Sequence, residues 1–384
     1  MKKTQRILRV ENSTKEHVMQ LAFELSLNKW KLAFGHNAKM RMVTIDARDL
    51  DQIQQAIEKA KKRFRLSGEV KILSCYEAGR DGFWLHRDLL SCGIDNLVVD
   101  SSSIEVNRRK RRAKTDRIDA KKLLGMLIRY YGGERRMWSV VNVPSVEAED
   151  GRHLHRELDV LNKERKMHRS RIKSLLFQHA IAVKNPSSRR FLIELETFRS
   201  WQGKQLPSDL KARIIREHAR LRMVEEQIYG LKKEQEQRLE RCDSTSLKKV
   251  AQLMTLRGIG VTSSWKFVME FFGWREFKND KQIGALAGLT PTPYDSGGYQ
   301  REQGIGKDGN KRIRTLAVEM AWVWVRFQPQ SKLAKWYRER FEAGGSRTRR
   351  IGIVAVARRL LIDLWRYLEY GVIPEGASLK PTVC

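Results

Sequence analysis

The first hundred residues limit the fold most tightly, because short apolar runs alternate there with amphipathic stretches. The pattern predicts strands at residues 18–25, 29–34 and 42–47, an amphipathic helix at 50–64, a strand at 70–76, a helix at 83–92 and a strand at 96–99. Three strands, helix, strand, helix, strand in that order predict a mixed sheet covered by helices.

Two acidic residues fall at the ends of predicted strands. Glu24 lies near the end of the first strand, and Glu77 ends the fourth, which is otherwise apolar. Strand ends are places where ligands gather in such folds. A glutamate at a strand end can equally be a solvated residue.

A second pair of carboxylates begins a predicted helix. Asp116 and Asp119 are three residues apart, so both lie on one helical face. Neighbouring carboxylates repel each other unless a cation neutralises them. With Glu24 and Glu77 they predict a site for two Mg²⁺ ions about 4 Å apart. The alternative is an exposed helix start, where aspartates favour the positive end of the helix dipole.

The charge of the chain indicates its class of partner. Lys and Arg number 76 against 45 Asp and Glu, which gives a formal charge of +31. Such an excess favours salt-dependent binding to a phosphate backbone. The predicted nucleic-acid contacts are Arg108, Arg109, Lys110, Arg111, Arg112, Lys114, Lys307, Lys311, Arg312 and Arg314. Their alternative is a solvated charged surface.

Length and composition favour a globular protein in a reducing compartment. A chain of 384 residues that is 41% hydrophobic can bury two or three cores. The four cysteines, Cys75, Cys92, Cys242 and Cys384, have no paired metal-ligand spacing, and no apolar run is long enough for a signal peptide or membrane span. We expect a cytoplasmic protein, associated with the bacterial nucleoid, with no membrane partner.

The middle of the chain, residues 147–239, is predicted to form long helices. Apolar residues recur there at three- and four-residue spacing: Leu154, Leu158, Leu161, Leu221, Val224, Ile228 and Leu231. This spacing is typical of an antiparallel helical hairpin or an intermolecular coiled coil. A homo-oligomer, dimer or tetramer, is therefore expected, with a simple helical linker as the alternative.

The C-terminal part, from residue 247, is predicted to be mainly helical and carries three features. Residues 253–261 resemble the Gly-x-Gly turn of a helix-hairpin-helix element, although the glycines can also be helix caps. Ser296 is expected in a flexible glycine-rich loop near the basic residues 307–314, as an accessible hydroxyl or as a turn residue. Four tryptophans, Trp322, Trp324, Trp336 and Trp365, are interpreted as core more than as base-stacking residues.

Several motifs together resemble the transposases of insertion-sequence family one-hundred-and-ten. They are Glu77-Ala78-Gly79, residues 114–120, residues 286–291, and Ser296-Gly297 followed by the glycine and lysine block at 304–314. The resemblance covers almost the whole chain. It implies a RuvC-like catalytic domain with an RNase H-like fold at 1–145, in keeping with the predicted order of strands and helices. It also implies a helical coiled-coil region at 146–245 and a transposase domain at 246–384.

The resemblance also implies an activity and residue roles. Family members are DNA recombinases guided by a structured "bridge" RNA that pairs with donor and target DNA. Glu77, Asp116 and Asp119 match three members of the family's Asp-Glu-Asp-Asp metal set, and Glu24 stands where the family has the first Asp. Ser296 resembles the serine that forms a phosphoserine link to DNA. The serine and metal sites are expected to combine, within or between protomers.

Two other functions fit the same residues. A RuvC-like nuclease would hydrolyse phosphodiesters with Mg²⁺ and water and would not need Ser296. An inactive nucleic-acid-binding relic would bind without breaking strands.

Overall fold

A computed structural model describes residues 18–66, 69–104, 116–296 and 299–381, with the main chain alone over 294–303. The chain divides into two compact units, Met1–Val143 and Pro144–Cys384. The first holds a sheet covered by helices, and the second is mostly helical.

The N-terminal unit is built on a five-stranded mixed sheet in the order β3-β2-β1-β4-β5. Strands β1, β4 and β5 are parallel. Strand β2 pairs antiparallel with β1, and β3 pairs antiparallel with β2. The elements are β1 (Val18–Glu24), β2 (Lys29–His36), β3 (Lys39–Asp46), α1 (Leu50–Phe64), β4 (Lys71–Glu77), α2 (Trp84–Ser91), β5 (Asp95–Val99) and α3 (Asp116–Tyr131). This order confirms the predicted mixed sheet with helices.

Alternation along the strands divides the core of this unit into two layers, because successive side chains point to opposite faces. On one face, Phe23 and Tyr76 pack with residues of α1 and α2. On the other face, Ala22 and Cys75 pack with Leu123 and other residues of α3. Helices therefore cover both sides of the sheet.

Small residues let α3 lie close to the sheet. Ala22, Ala33 and Cys75 lie on the strand side of this layer and are fully buried. At Gly35, on β2, an added Cβ would lie 3.3 Å from Leu124. The close approach sets how near the middle of α3 lies to the sheet.

The second unit contains ten helices and one hairpin within the described residues. The helices are α4 (Val146–Asp150), α5 (His153–Phe177), α6 (Phe191–Thr197), α7 (Ser208–Arg241), α8 (Thr245–Met254), α9 (Val261–Phe267), α10 (Asp280–Leu286), α11 (Lys311–Phe327), α12 (Lys332–Tyr337) and α13 (Ser346–Tyr370). The hairpin is β6 (Pro291–Ser296) and β7 (Tyr299–Ile305). π-Helical turns follow α9 at Val268–Phe272 and α12 at Arg338–Glu342.

Helices α5 and α7 form an antiparallel hairpin within one chain. His168 on α5 lies 2.8 Å from Glu217 near the start of α7, whereas Leu158, earlier on α5, shares a core with Ile228, later on α7. Six of the seven apolar residues predicted at this interface are buried: Leu154, Leu158, Leu161, Leu221, Val224 and Ile228. The periodicity thus identified the buried seam.

Helices α8 to α13 share one large core that also receives the start of α5 and the second half of α7. Trp324 and Trp365 are buried in it, as predicted, and Trp336 is partly buried with Arg359 3.9 Å above its ring. Trp322 differs, because 47% of it is exposed. Across the described ranges, no helix is both long enough and apolar enough to span a bilayer.

The packing of α3 gives a stability prediction. Replacing Leu124, which is 2% exposed, by Ala should lower the free energy of unfolding of the N-terminal unit by about 2–5 kcal/mol, because it leaves a cavity against the sheet. Ile118→Ala is the matched control on the same helix, since Ile118 is 50% exposed and should change stability by less than about 0.5 kcal/mol. Urea denaturation followed by circular dichroism measures both, and equal effects would contradict the packing.

Candidate functional site

The carboxyl ends of two neighbouring strands bring two of the predicted acids together. Strands β1 and β4 pair in parallel up to Phe23 opposite Tyr76. The next residue on each strand is Glu24 and Glu77, so the two acids end adjacent strands at one edge of the sheet. At the level of the main chain, Glu24 and Glu77 are therefore neighbours at the ends of adjacent parallel strands.

Both glutamates also belong to the face that α3 covers. Glu24 is two residues beyond Ala22, and Glu77 is two residues beyond Cys75, and these two small residues pack against α3. Asp116 and Asp119 form the first turn of the same helix. The four predicted acids therefore share one face of the sheet.

Lys31 connects the helix start to the sheet edge. It lies opposite Glu24 in the β1–β2 register, and its ammonium group is 3.5 Å from the Asp116 carboxylate. This cation links the position of Asp116 to that of Glu24. Lys31 was not among the predicted site residues, although it lies early in the strand predicted at 29–34.

Asp100 is another acid at the same edge that the sequence analysis missed. It directly follows β5, and β5 pairs with β4 through Val99 opposite Glu77. Its carboxylate accepts hydrogen bonds from the Ser102 N–H at 2.9 Å and hydroxyl at 2.8 Å. An aspartate right after a predicted buried strand was the signal that could have found it.

The donor set suits a hard divalent cation, because carboxylate oxygens are the ligands that Mg²⁺ prefers. A lysine ammonium already lies beside one of these carboxylates, so the edge accommodates positive charge. Within the described part of the chain, no three Asp, Glu, His or Cys side chains lie close enough together to form a metal site as they stand.

In the second unit, the motifs at 286–290 and 304–314 are joined by main-chain hydrogen bonds. The Asn310 N–H donates to the Leu286 carbonyl at 2.7 Å, and the Gly306 N–H donates to the Thr290 carbonyl at 2.9 Å. At Gly309 an added Cβ would lie 2.2 Å from the Leu286 carbonyl oxygen. Glycine is required there because the two segments approach so closely.

The hairpin that carries Ser296 begins where these two segments meet, which we call the junction. Pro291 pairs with Ile305 at its base, and Ser296 pairs with Tyr299 at its far end. Five residues of antiparallel strand span about 17 Å. The hairpin therefore separates the main chain of Ser296 from the junction at its base, where the basic block follows.

The placement of Ser296 corrects two expectations. It ends a strand instead of lying in a flexible loop, and it lies at the opposite end of the hairpin from the segment that begins at Gly306. In the sequence, a pair of glycines such as 297 and 298 is a strong signal for a two-residue hairpin connection, but it was interpreted above as a sign of flexibility. Ser296 is close to the basic block in sequence but not in space, because each residue of the intervening strand adds about 3.4 Å.

The predicted nucleic-acid contacts of this unit have different surroundings. Lys311 and Arg312 begin α11 and are exposed. Arg314 donates to the carbonyl of Lys307 at 2.9 Å, and Lys307 has a left-handed φ of 63°. Arg314 thus stabilises the turn as well as adding charge. Arg108, Arg109, Lys110, Arg111, Arg112 and Lys114 lie outside the described residues.

The Gly-x-Gly turn between α8 and α9 uses its N–H groups inside the protein. The N–H of Arg257 donates to Ser378, that of Ile259 to Leu256 and that of Gly260 to the Ser263 hydroxyl. Gly260 is also the N-cap of α9. These bonds favour the interpretation of the glycines as helix caps.

A buried carboxylate joins α5 to the π-helical turn after α9. Glu270 is 2% exposed and accepts hydrogen bonds from His155 Nε2 at 2.9 Å and from Arg156 Nε and Nη2 at 2.7 and 2.8 Å. Burial alone would raise the pKa of Glu270, but the hydrogen bonds from His155 and Arg156 outweigh it and hold the pKa at about 2. The group is ionised at neutral pH, and sequence patterns did not single it out.

Comparisons with known proteins give consistent results. Residues 250–335 match a family described as Transposase IS116/IS110/IS902 family. "Putative transposase y4rJ" of Sinorhizobium fredii is 38% identical over an alignment of 373 residues that covers 94% of this chain and 94% of the relative. "Transposase for insertion sequence element IS1328" of Yersinia enterocolitica is 28% identical over 185 residues, 48% of this chain and 53% of the relative.

The Glu270 network predicts an acid-dependent part of the stability. The folded pKa of about 2 is below the unfolded value of 4.5, so the contribution is complete above pH 4.5 and is lost as the pH falls towards 2. This difference corresponds to about 3 kcal/mol. Glu270→Gln should lower the melting temperature at pH 7. At low pH the melting temperatures of the variant and the wild type should differ much less.

Calorimetry between neutral and acidic pH measures this effect. Glu226→Gln is the control, because Glu226 is exposed on α7 and its loss should leave the pH profile unchanged. A Glu270→Gln profile parallel to wild type across the whole range would contradict the assigned role.

Proposed function

Because the chain belongs to the IS116/IS110/IS902 family of transposases, we propose that it cuts and rejoins DNA through a Mg²⁺-dependent carboxylate site and a serine nucleophile, guided by a bridge RNA. Relatedness along 94% of a transposase supports an enzyme acting on DNA. The observation that carries the proposed chemistry is the placement of four acids on one face and edge of the N-terminal sheet.

The carboxylate edge is the proposed metal site. Glu24, Glu77, Asp116 and Asp119 would hold the ions, in the arrangement expected of a RuvC-like domain. Mg²⁺ supplies Lewis-acid polarisation of phosphoryl oxygen and stabilises developing negative charge. Glu24 has one methylene more than the aspartate that the family resemblance implies, and it would reach the site from a strand end that already adjoins Glu77.

Ser296 is the proposed nucleophile. Its hydroxyl oxygen would form a bond to a backbone phosphorus while the bond from phosphorus to a deoxyribose oxygen breaks. The serine proton leaves, and the departing sugar oxygen takes up a proton. Attack of another sugar hydroxyl on the phosphoserine would restore the serine and join the new strand. The bond energy is conserved, so no nucleotide cofactor is required.

The basic residues and the long helices have proposed partners. Residues 108–114, with Lys307, Lys311, Arg312 and Arg314, would contact phosphates of DNA or RNA. The charge of +31 suits binding to two nucleic acids at once. A homo-oligomer would bring several sites to the same DNA, in the cytoplasm and at the nucleoid.

The serine and the carboxylates are separable by mutation. Ser296→Ala should abolish the covalent protein–DNA adduct and strand transfer, because no other group replaces the attacking oxygen. Asp119→Asn should also abolish both, by removing a metal ligand. The assay incubates the protein with DNA of the element's ends and Mg²⁺ and separates adducts on a denaturing gel.

Two exposed residues serve as controls, Ser346→Ala in the C-terminal unit and Asp51→Asn in the first turn of α1. Both should keep adduct formation and strand transfer. Strand cleavage that survives Ser296→Ala but not Asp119→Asn would establish the hydrolytic nuclease instead. Binding without cleavage by the wild-type protein under any divalent ion would identify an inactive binder.

RNA guidance is tested by purification. The chain expressed with its native flanking DNA and purified at high salt should retain one discrete RNA encoded beside the gene. Sequencing of the bound RNA measures this. A heterogeneous population of cellular RNAs would contradict guidance and leave the DNA chemistry to be judged by the adduct assay.

A further inference from the structure

A groove of about 620 Å³ opens in the second unit. It lies among α5, α9, the π-helical turn at Val268–Phe272 and the start of α11. The basic residues that line it come from three separate helices: Lys163, Lys166, Lys266, Lys311 and Arg312. Only the last two were singled out from the sequence.

The acids of the groove are mostly neutralised inside the protein. Asp159 pairs with Lys266 at 2.5 Å and with Arg312 at 3.4 Å. Glu270 is neutralised by the bidentate bond from Arg156. These ion pairs hold the helices that line the groove together. The lysines that remain unpaired then determine the charge that the groove presents to a ligand.

Three of the lysines are available to a ligand. Lys163, Lys166 and Lys311 are exposed, and none makes an ion pair with a residue in the described ranges. Glu319 is the one lining acid without such a pair there. The groove is therefore a cationic surface whose free charge lies on two facing helices, α5 and α11.

One residue that lines the groove, His155, has a buried polar atom without a partner in the described part of the chain. His155 lines the groove, is 2% exposed and donates through Nε2 to the ionised Glu270, since a carboxylate can only accept. Its other ring nitrogen, Nδ1, is buried and has no hydrogen-bond partner in the described part of the chain. Such an atom beside a polar groove marks a place where a bound water or ligand atom completes the network.

We infer that this groove binds the phosphodiester backbone of a nucleic acid strand, with Lys163, Lys166 and Lys311 contacting successive phosphates. Lysine ammonium groups bind phosphate as point charges and suit a sequence-independent backbone contact. The inference deepens the proposed function and rests on it for the ligand class. The groove would bind the nucleic acid, while the carboxylates and Ser296 carry out the chemistry.

The test measures binding and not strand transfer, so its failure is distinct from failure of the proposed chemistry. Lys163, Lys166 and Lys311 are all changed to Gln in the full chain. Each lost phosphate contact should reduce the slope of log K against log salt by about 0.9 for duplex DNA, and affinity at low salt should fall at least about tenfold. Fluorescence anisotropy with duplex DNA and with a folded hairpin RNA measures both quantities.

The matched control changes Lys232, Lys233 and Lys248 to Gln, which removes the same charge from exposed positions outside the groove. A selective loss for the groove variant supports the inference, and the probe that weakens, DNA or RNA, identifies the strand. Equal losses for the two triple variants, or none for either, would overturn it. Protection of the groove lysines from acetylation by bound nucleic acid, but not of the control lysines, is the expected result without mutation.

Discussion

The close packing of α3 on a strip of small residues is the constraint on which the N-terminal unit depends. Ala22, Ala33 and Cys75 contribute little volume, so the helix lies directly on the sheet. This contact orients the first turn of α3, with its two aspartates, towards the edge where β1 and β4 end. A larger residue in the strip would move the helix away and separate the helical acids from the strand-end acids.

The second unit is organised by buried electrostatics as well as by its core. Glu270 ties α5 to the segment after α9, and Glu217 ties α5 to α7 through His168 at 2.8 Å and Arg171 at 3.3 Å. A buried carboxylate that lost its partners would be costly, so each network fixes the rotation and register of the helices it joins. The long hairpin is thereby held to a defined seam.

The sequence predicted the elements of the first unit well because their signals are local. Period-two alternation and turn residues located all five strands, and the helix at 50–64 was predicted with both of its observed ends. The acids at strand ends followed from the same pattern. Lys31 was missed because its role depends on the β1–β2 register, which no local pattern specifies.

The C-terminal site was harder to predict because it depends on contacts between distant segments. Ser296 is close in sequence to the basic block, but the hairpin separates the two. The groove draws its lysines from positions as far apart as 163 and 311, and Glu270 finds its partners more than a hundred residues earlier. Composition indicated the charge of this surface, and only the packing of α5 against α9 and α11 located it.

The ion pair between Lys31 and Asp116 has a consequence for the proposed metal site. The lysine offsets part of the mutual repulsion of the acids, so the acids can lie at the same sheet edge without a bound ion. A divalent cation bound at the proposed metal site would compete with this tethered ammonium group for the same oxygens. The Lys31 ammonium group would therefore disfavour ions that bind weakly and select those that bind carboxylates firmly.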